Sequence, residues 1–176
     1  MVQAFTILRK KYLCSAELYL AGAKESDIRD ALRERQIRVE EVDWQKIHLL
    51  GDLGSEKLTD YYNLCDVFCM PSHFEAYGLV FAEALTYGLP CIGRDKFAMS
   101  EFIEDGCTGR LISGEDAEEL ALDLWEVLQD PKYREEVERR REWYLREYSW
   151  DKVAQRICSV MEKNERDKDQ YRSAGV

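Results

Sequence analysis

The sequence predicts an α/β domain, a parallel sheet flanked by helices. Three observations carry that expectation. Residues 66–93 read as strand, loop, helix and strand in direct succession. Other short apolar runs, at 17–21 and 47–50, are each followed by a helical pattern. Proline and glycine punctuate the junctions, as Pro71, Gly88 and Pro90 do around the central unit. Alternation of this kind is how a sheet acquires helices on its faces.

Composition narrows the functional classes. A chain of 176 residues suits one domain, and a domain of about that size buries about 70% of its unfolded surface. Hydrophobic residues make up 45% and charged residues 34%, an ordinary globular balance. The net charge of −10 argues against nucleic acid as a partner and gives no general attraction to anionic membranes. No apolar stretch approaches the ~20 residues of a membrane span. The N-terminus shows no basic segment followed by an apolar core, so the expected location is the cytoplasm. The six cysteines include no C-x-x-C pair, and several sit in apolar runs, so free buried thiols are expected. With His48 and His73 as its two histidines, the chain offers little for a histidine-based metal site.

In chain order, Val2, Phe5, Leu8 and Tyr12 form the stripe of a first helix. Glu17 to Ala21 reads as a strand. Ser26 to Gln36 is a charged helix with Ile28, Ala31 and Leu32 inward. Ile47 to Leu50 is a short strand, and Ser55 is the expected cap of a helix that turns Leu58, Tyr61, Tyr62 and Cys65 inward. Asp66 to Met70 is the central strand.

After the central unit, glycines of the D-G-x-x-G-x-L segment (105–111) serve turns beside a further strand. Ser113 with Asp116 suggests a capping box for a helix to Gln129. Asp130-Pro131 opens a helix through Glu147, whose charge run 134–142 is most simply a solvated face. A final amphipathic helix carries Val153, Ile157, Val160 and Met161. Residues 1–163 are the expected domain, and 164–176 a polar, fraying tail. Its Asp167-Lys168-Asp169 is poor evidence for a metal site, lying in that tail rather than at a strand end.

The central unit holds the chemistry. Gly78 opens an apolar helical run that closes at Gly88. Glycine there admits a close ligand, and free amides at a helix start favour phosphate. Glu83 lies within the run Leu79, Val80, Phe81, Ala82, Ala84 and Leu85, where a carboxylate must reach water, a partner or a ligand. It follows Gly78 by about 7–8 Å of helix at 1.5 Å per residue. One helix could thus hold a diphosphate at its tip and a ribose farther along, with Glu75 on the other side of the phosphates near a sugar. Taken singly, Glu83 reads as solvent-facing and Glu75 as a loop acid or a helix N-terminal charge.

Together, P-S-x-x-E-x-Y-G-L-x-x-x-E-A-L-x-x-G-L-P, running without a gap from Pro71 to Pro90, resembles the E-x7-E signature of retaining GT-B glycosyltransferases (glycosyltransferase family 4, glycosyl transferases group 1). The resemblance implies the Rossmann-like C-terminal half of a GT-B enzyme, binding a nucleotide-diphosphate sugar and transferring a hexose to a glycan, lipid or small-molecule acceptor. It implies a donor site of His73, Glu75, Ala76, Tyr77, Gly78, Leu79, Val80 and Glu83, with Asp52 and Leu53 against the base. Glu75 is the implied catalytic residue, acting by positioning the sugar, and no cofactor or metal is expected.

In that family the first helix follows a strand and a loop whose Arg and Lys hold the diphosphate. The expectation is therefore a C-terminal half without that strand, that loop or the acceptor-side domain, inactive alone. The absent domain would act in cis or in trans, and any membrane contact would run through it. Two alternatives are the donor-binding subunit of a split two-chain enzyme and a GT-B-like sugar-nucleotide epimerase. One departure stands out: where relatives carry small residues and Gly-Gly before the acid matching Glu101, this chain has Arg94, Lys96, Phe97 and Ala98. Arg94 and Lys96 could bring charge to the phosphates, though exposure is the simpler expectation.

Overall fold

The computed structural model describes residues 1–12 and 15–173, with side chains through residue 163. Cys14 lies outside the described residues. The elements run α1 (Val2–Lys11), β1 (Leu18–Ala21), α2 (Glu25–Glu34), β2 (Ile47–Gly51), α3 (Ser55–Leu64), β3 (Phe68–Cys69), α4 (Leu79–Thr86), β4 (Cys91–Arg94), α5 (Met99–Phe102), β5 (Gly109–Ile112), α6 (Ala117–Gln129), α7 (Lys132–Glu147) and α8 (Trp150–Ser173). Two short 3-10 turns, Val39–Glu41 and Trp44–Lys46, lead into β2.

All strand pairings are parallel, as the alternation of strands and helices requires. The ladder falls into two parts, however: β1 pairs with β2, while β3, β4 and β5 form a separate sheet in that order. Successive residues of the second sheet face opposite layers. Cys69, Ile92 and Ile112 join the cluster of α1, α2 and α6, whose centre includes Phe5, Leu8 and Ala121. Phe68, Cys91 and Leu111 join the cluster of α4 and α7, around Phe81, Leu85 and Val137. Leu18, Leu20 and Leu49 of the first sheet pack into the α1–α6 layer, so the two sheets share a core with no strand pairing between them among the described residues. Parallel strands approach closely at Gly109, where a Cβ would fall 1.7 Å from the Cys91 carbonyl oxygen.

Several local expectations need correction. Ser55 is the first residue of α3 rather than its cap, which is Gly54, and no side chain among the described residues caps that helix. At α6 the cap is Asp116, which accepts from the Glu118 amide, and not Ser113. Asp130 does accept from the Lys132 amide at the start of α7. The 134–142 run is not wholly a solvated face, because Arg141 donates to the Thr86 carbonyl and Arg140 reaches Glu104, Glu136 and Cys107. In α8, Ile157, Val160 and Met161 are exposed rather than packed inward. The helix continues as backbone to Ser173.

Candidate functional site

The site grows from the connection between β3 and α4. Pro71 ends the strand, and Ser72 folds the chain back through its amide on the Met70 carbonyl. Gly78 then takes a left-handed conformation (φ 66°) as the residue before α4. A Cβ there would lie 2.9 Å from the Phe102 ring, so glycine is required both by backbone and by space.

Glu75 binds the start of its own helix. Its Oε1 accepts from the Gly78 amide at 3.0 Å and the Tyr77 amide at 3.3 Å. That is the role of a helix N-terminal carboxylate, and it modifies the expected cradle. The Gly78 amide is already engaged, whereas the Leu79 and Val80 amides have no protein acceptor among the described residues. The second oxygen of Glu75 has no hydrogen-bond partner among the described residues, and it can accept a ligand hydroxyl.

One helical turn and a half farther on, Glu83 is exposed amid buried Phe81, Ala82, Ala84 and Leu85. Its Oε2 accepts from the Tyr62 hydroxyl of α3 at 3.2 Å. Burial, and then the Glu83 charge, push the Tyr62 hydroxyl well above its ordinary range, so it remains a donor. A second tie between the same helices joins the Thr59 and Tyr87 hydroxyls at 3.2 Å. The loop carrying Asp52 and Leu53 precedes α3, so these ties are its link to α4. Asp52 is exposed and Leu53 half-buried, and among the described residues neither is hydrogen-bonded to residues 71–83.

Arg94 corrects the expectation of exposure. It is 8% exposed. Its Nε donates to the Pro71 carbonyl at 3.1 Å and its Nη1 to the Gly114 carbonyl at 2.8 Å. The guanidinium thus fastens the turn after β3 to the turn after β5. Lys96 is exposed as expected. Arg94 also lines a cleft of about 350 Å³ with Met1, Leu20, Arg35, Pro71 and His73. The cleft lies at the C-terminal ends of β1, β3, β4 and β5, where open parallel sheets receive ligands. His73 faces this cleft, with Nδ1 3.2 Å from a Glu115 carboxylate oxygen. Arg35 was not singled out by sequence, since nothing in a charged helix distinguishes the arginine that meets a cleft.

Ala76 and Tyr77 complete the turn and are exposed. The structure therefore unites Glu75, Ala76, Tyr77, Gly78, Leu79, Val80 and Glu83 on one turn and helix, places His73 beside them on the cleft wall, and leaves Asp52 and Leu53 on a neighbouring loop. Among the described residues, no group of three His, Cys, Asp or Glu side chains is arranged to hold a metal ion. Cys91 is buried, and desolvation pushes its thiol well above the ordinary range, which makes it a packing residue.

The chain is 31% identical over 103 residues to a D-inositol 3-phosphate glycosyltransferase of Thermomonospora curvata, covering 58% of this chain and 24% of that protein. A pneumococcal O-GlcNAc transferase, GtfA, solved with UDP and GlcNAc, superposes with a TM-score of 0.67 at 25% identity, covering 91% of this chain and 32% of that one. The HepE protein of Anabaena, solved with UDP-glucose, shares the fold with a TM-score of 0.69 at 18% identity, over 90% of this chain and 44% of that one. The chain spans about a quarter of the length of the first curated relatives it matches. The α/β fold is that of GT-B glycosyltransferases. Residues 1–144 match the family Glycosyl transferases group 1, and the chain belongs to it.

Proposed function

We propose that this chain is the donor-binding half of a retaining glycosyltransferase that takes a hexose from a nucleotide diphosphate. The observation that carries the reading is the α4 start: two unengaged amides, a left-handed Gly78, a pinned Glu75 and an exposed Glu83 on one rigid piece. The diphosphate takes the Leu79 and Val80 amides and the positive end of the helix. Glu83 accepts from ribose hydroxyls, and the unbonded oxygen of Glu75 accepts from a hydroxyl of the donor sugar.

The reaction breaks the bond between the sugar C1 and the diphosphate oxygen, with the electron pair leaving on the nucleotide. The acceptor hydroxyl adds to C1 from that same face, and its proton passes to the departing phosphate. Negative charge on the leaving group is met by the α4 amides, which are fixed before the reaction. Arg35 and Arg94 add positive charge to the cleft wall. The acceptor is held by a further domain, in cis or in trans, so transfer by this chain alone is not expected.

Calorimetric titration with UDP, GDP and ADP, then with their sugar conjugates, tests the reading. Selective binding that weakens at least tenfold in Glu83→Ala supports it. Binding unaffected by Glu83→Ala, or no binding at millimolar nucleotide in a folded sample, overturns it for this chain.

A further inference from the structure

The structure assigns a pyranose-stacking platform to Phe74 and Phe97, beside Glu75; this rests on the sugar-binding role proposed for that carboxylate. The two rings meet edge to face, with centroids 5.1 Å apart. They are 69% and 51% exposed, large fractions for phenylalanine. Phe74 sits in the turn before α4, and Phe97 in the loop after β4.

The backbone shows that this pairing is held in place. Phe97 has φ 55°, in the left-handed region that glycine adopts freely and an aromatic residue adopts at a cost. Its neighbour Ala98 donates its amide to the Glu75 carbonyl at 3.4 Å. The Ala98 methyl also lies 3.4 Å from the position that a Cβ on Gly78 would take. Arg94 ties the base of the Phe97 loop to Pro71, at the base of the Phe74 turn. Phe74 is therefore mounted on the turn whose carboxylate is fixed by the Gly78 amide, and Phe97 on the neighbouring loop that is tied to that turn.

A carboxylate acceptor beside a rigid apolar ring surface matches a pyranose. Such a sugar has hydroxyls at its rim for Glu75 and an apolar face of C–H groups for an aromatic ring. Continuity with the α4 site selects this occupant: the rings adjoin the Glu75 turn rather than the apolar stripe of α8. The platform's chemistry is the same for a sugar carried by the nucleotide and for one carried by the acceptor, and the ligand panel separates the two.

The test uses the full chain labelled with 4-fluorophenylalanine, with the Phe74 and Phe97 fluorine signals assigned from Phe74→Leu and Phe97→Gly. Ligands are UDP, UDP-glucose, UDP-N-acetylglucosamine, GDP-mannose, and methyl glucoside, mannoside and N-acetylglucosaminide with UDP present. Sorbitol is the open-chain control. The expected result is a saturable shift of both signals with at least one pyranose and none with sorbitol. A response to a nucleotide sugar makes the ring the donor's, and a response to a methyl glycoside makes it the acceptor's. Phe97→Gly should weaken the pyranose response at least tenfold while UDP affinity stays within twofold. Silence of both signals across the panel overturns the platform. The amide signals of Leu79 and Val80, followed with UDP alone, report separately on the donor-site reading, so its failure is distinguishable from failure of the platform.

Discussion

The Tyr62 hydroxyl donates to Glu83 across the α3–α4 contact, 3.2 Å from Oε2. Tyr62 is 6% exposed and its ring stacks on Tyr87 at 5.3 Å. The exposed carboxylate is thereby oriented by a buried partner. Tyr62→Phe should lower stability by about 1 kcal/mol, the net worth of one such bond. It should also weaken nucleotide binding severalfold, because Glu83 regains rotamer freedom. Urea unfolding and calorimetry measure the two effects; unchanged affinity would separate Glu83 orientation from binding.

Gly78→Ala forces a Cβ into the Phe102 ring at a left-handed backbone. A loss of about 1–3 kcal/mol is expected from the backbone alone. The larger effect should be on nucleotide affinity, since the Leu79 and Val80 amides are carried by the same turn. Thermal unfolding beside calorimetry would show it, and wild-type affinity in the variant would contradict the placement of the diphosphate.

Arg94→Met removes a buried cation and leaves the Pro71 and Gly114 carbonyls without their donor. The expected cost is about 2–3 kcal/mol, in the range for hydrogen bonds to a charged group. Arg94→Lys should recover part of it, because an ammonium is a single point and lacks the guanidinium fork. Amide exchange at residues 72–78 should accelerate in both variants.

Acid should destabilise the chain between about pH 4.5 and about pH 2. Glu17 is held down to about 2 by hydrogen bonds from Lys46 and His48. Glu136 is held down to about 2 by Arg139, with Arg140 assisting. A folded-state value below the unfolded one means that the stabilisation is complete above the unfolded value and disappears as pH falls through the folded one. Both groups are solvent-facing, so the effect should be modest and should shrink in high salt. A pH series of urea midpoints checks this, and Glu136→Gln should flatten part of the acid limb.

Much of the fold was legible because its signals are local. Apolar runs bounded by Pro71, Gly88 and Pro90 located β3, α4 and β4, and the Asp130 cap located the start of α7. The simple reading of Glu75 as a helix N-terminal charge matches its bonds to Tyr77 and Gly78, and Glu83 faces solvent as its simple reading held. Arg94 was misjudged because its neighbours Asp95 and Lys96 make the segment look exposed. Its burial comes from carbonyls 23 and 20 residues away, which no local pattern reports. The same limit hid the ring pair: Phe97 meets Phe74 through a left-handed backbone, at a place where sequence showed a substitution but not a direction.

The break between the β1–β2 ladder and the β3–β4–β5 ladder makes the cleft compliant along one line. Across each ladder, spacing is held by peptide geometry at about 4.8 Å per strand. Across the seam it is held by side chains such as Leu20, Val67 and Cys69 in a common core, with no strand pairing among the described residues. Leu20 on one side and Arg94 on the other line the same cavity. Its width is accordingly set by side-chain packing, whereas spacing within each ladder is set by hydrogen bonds.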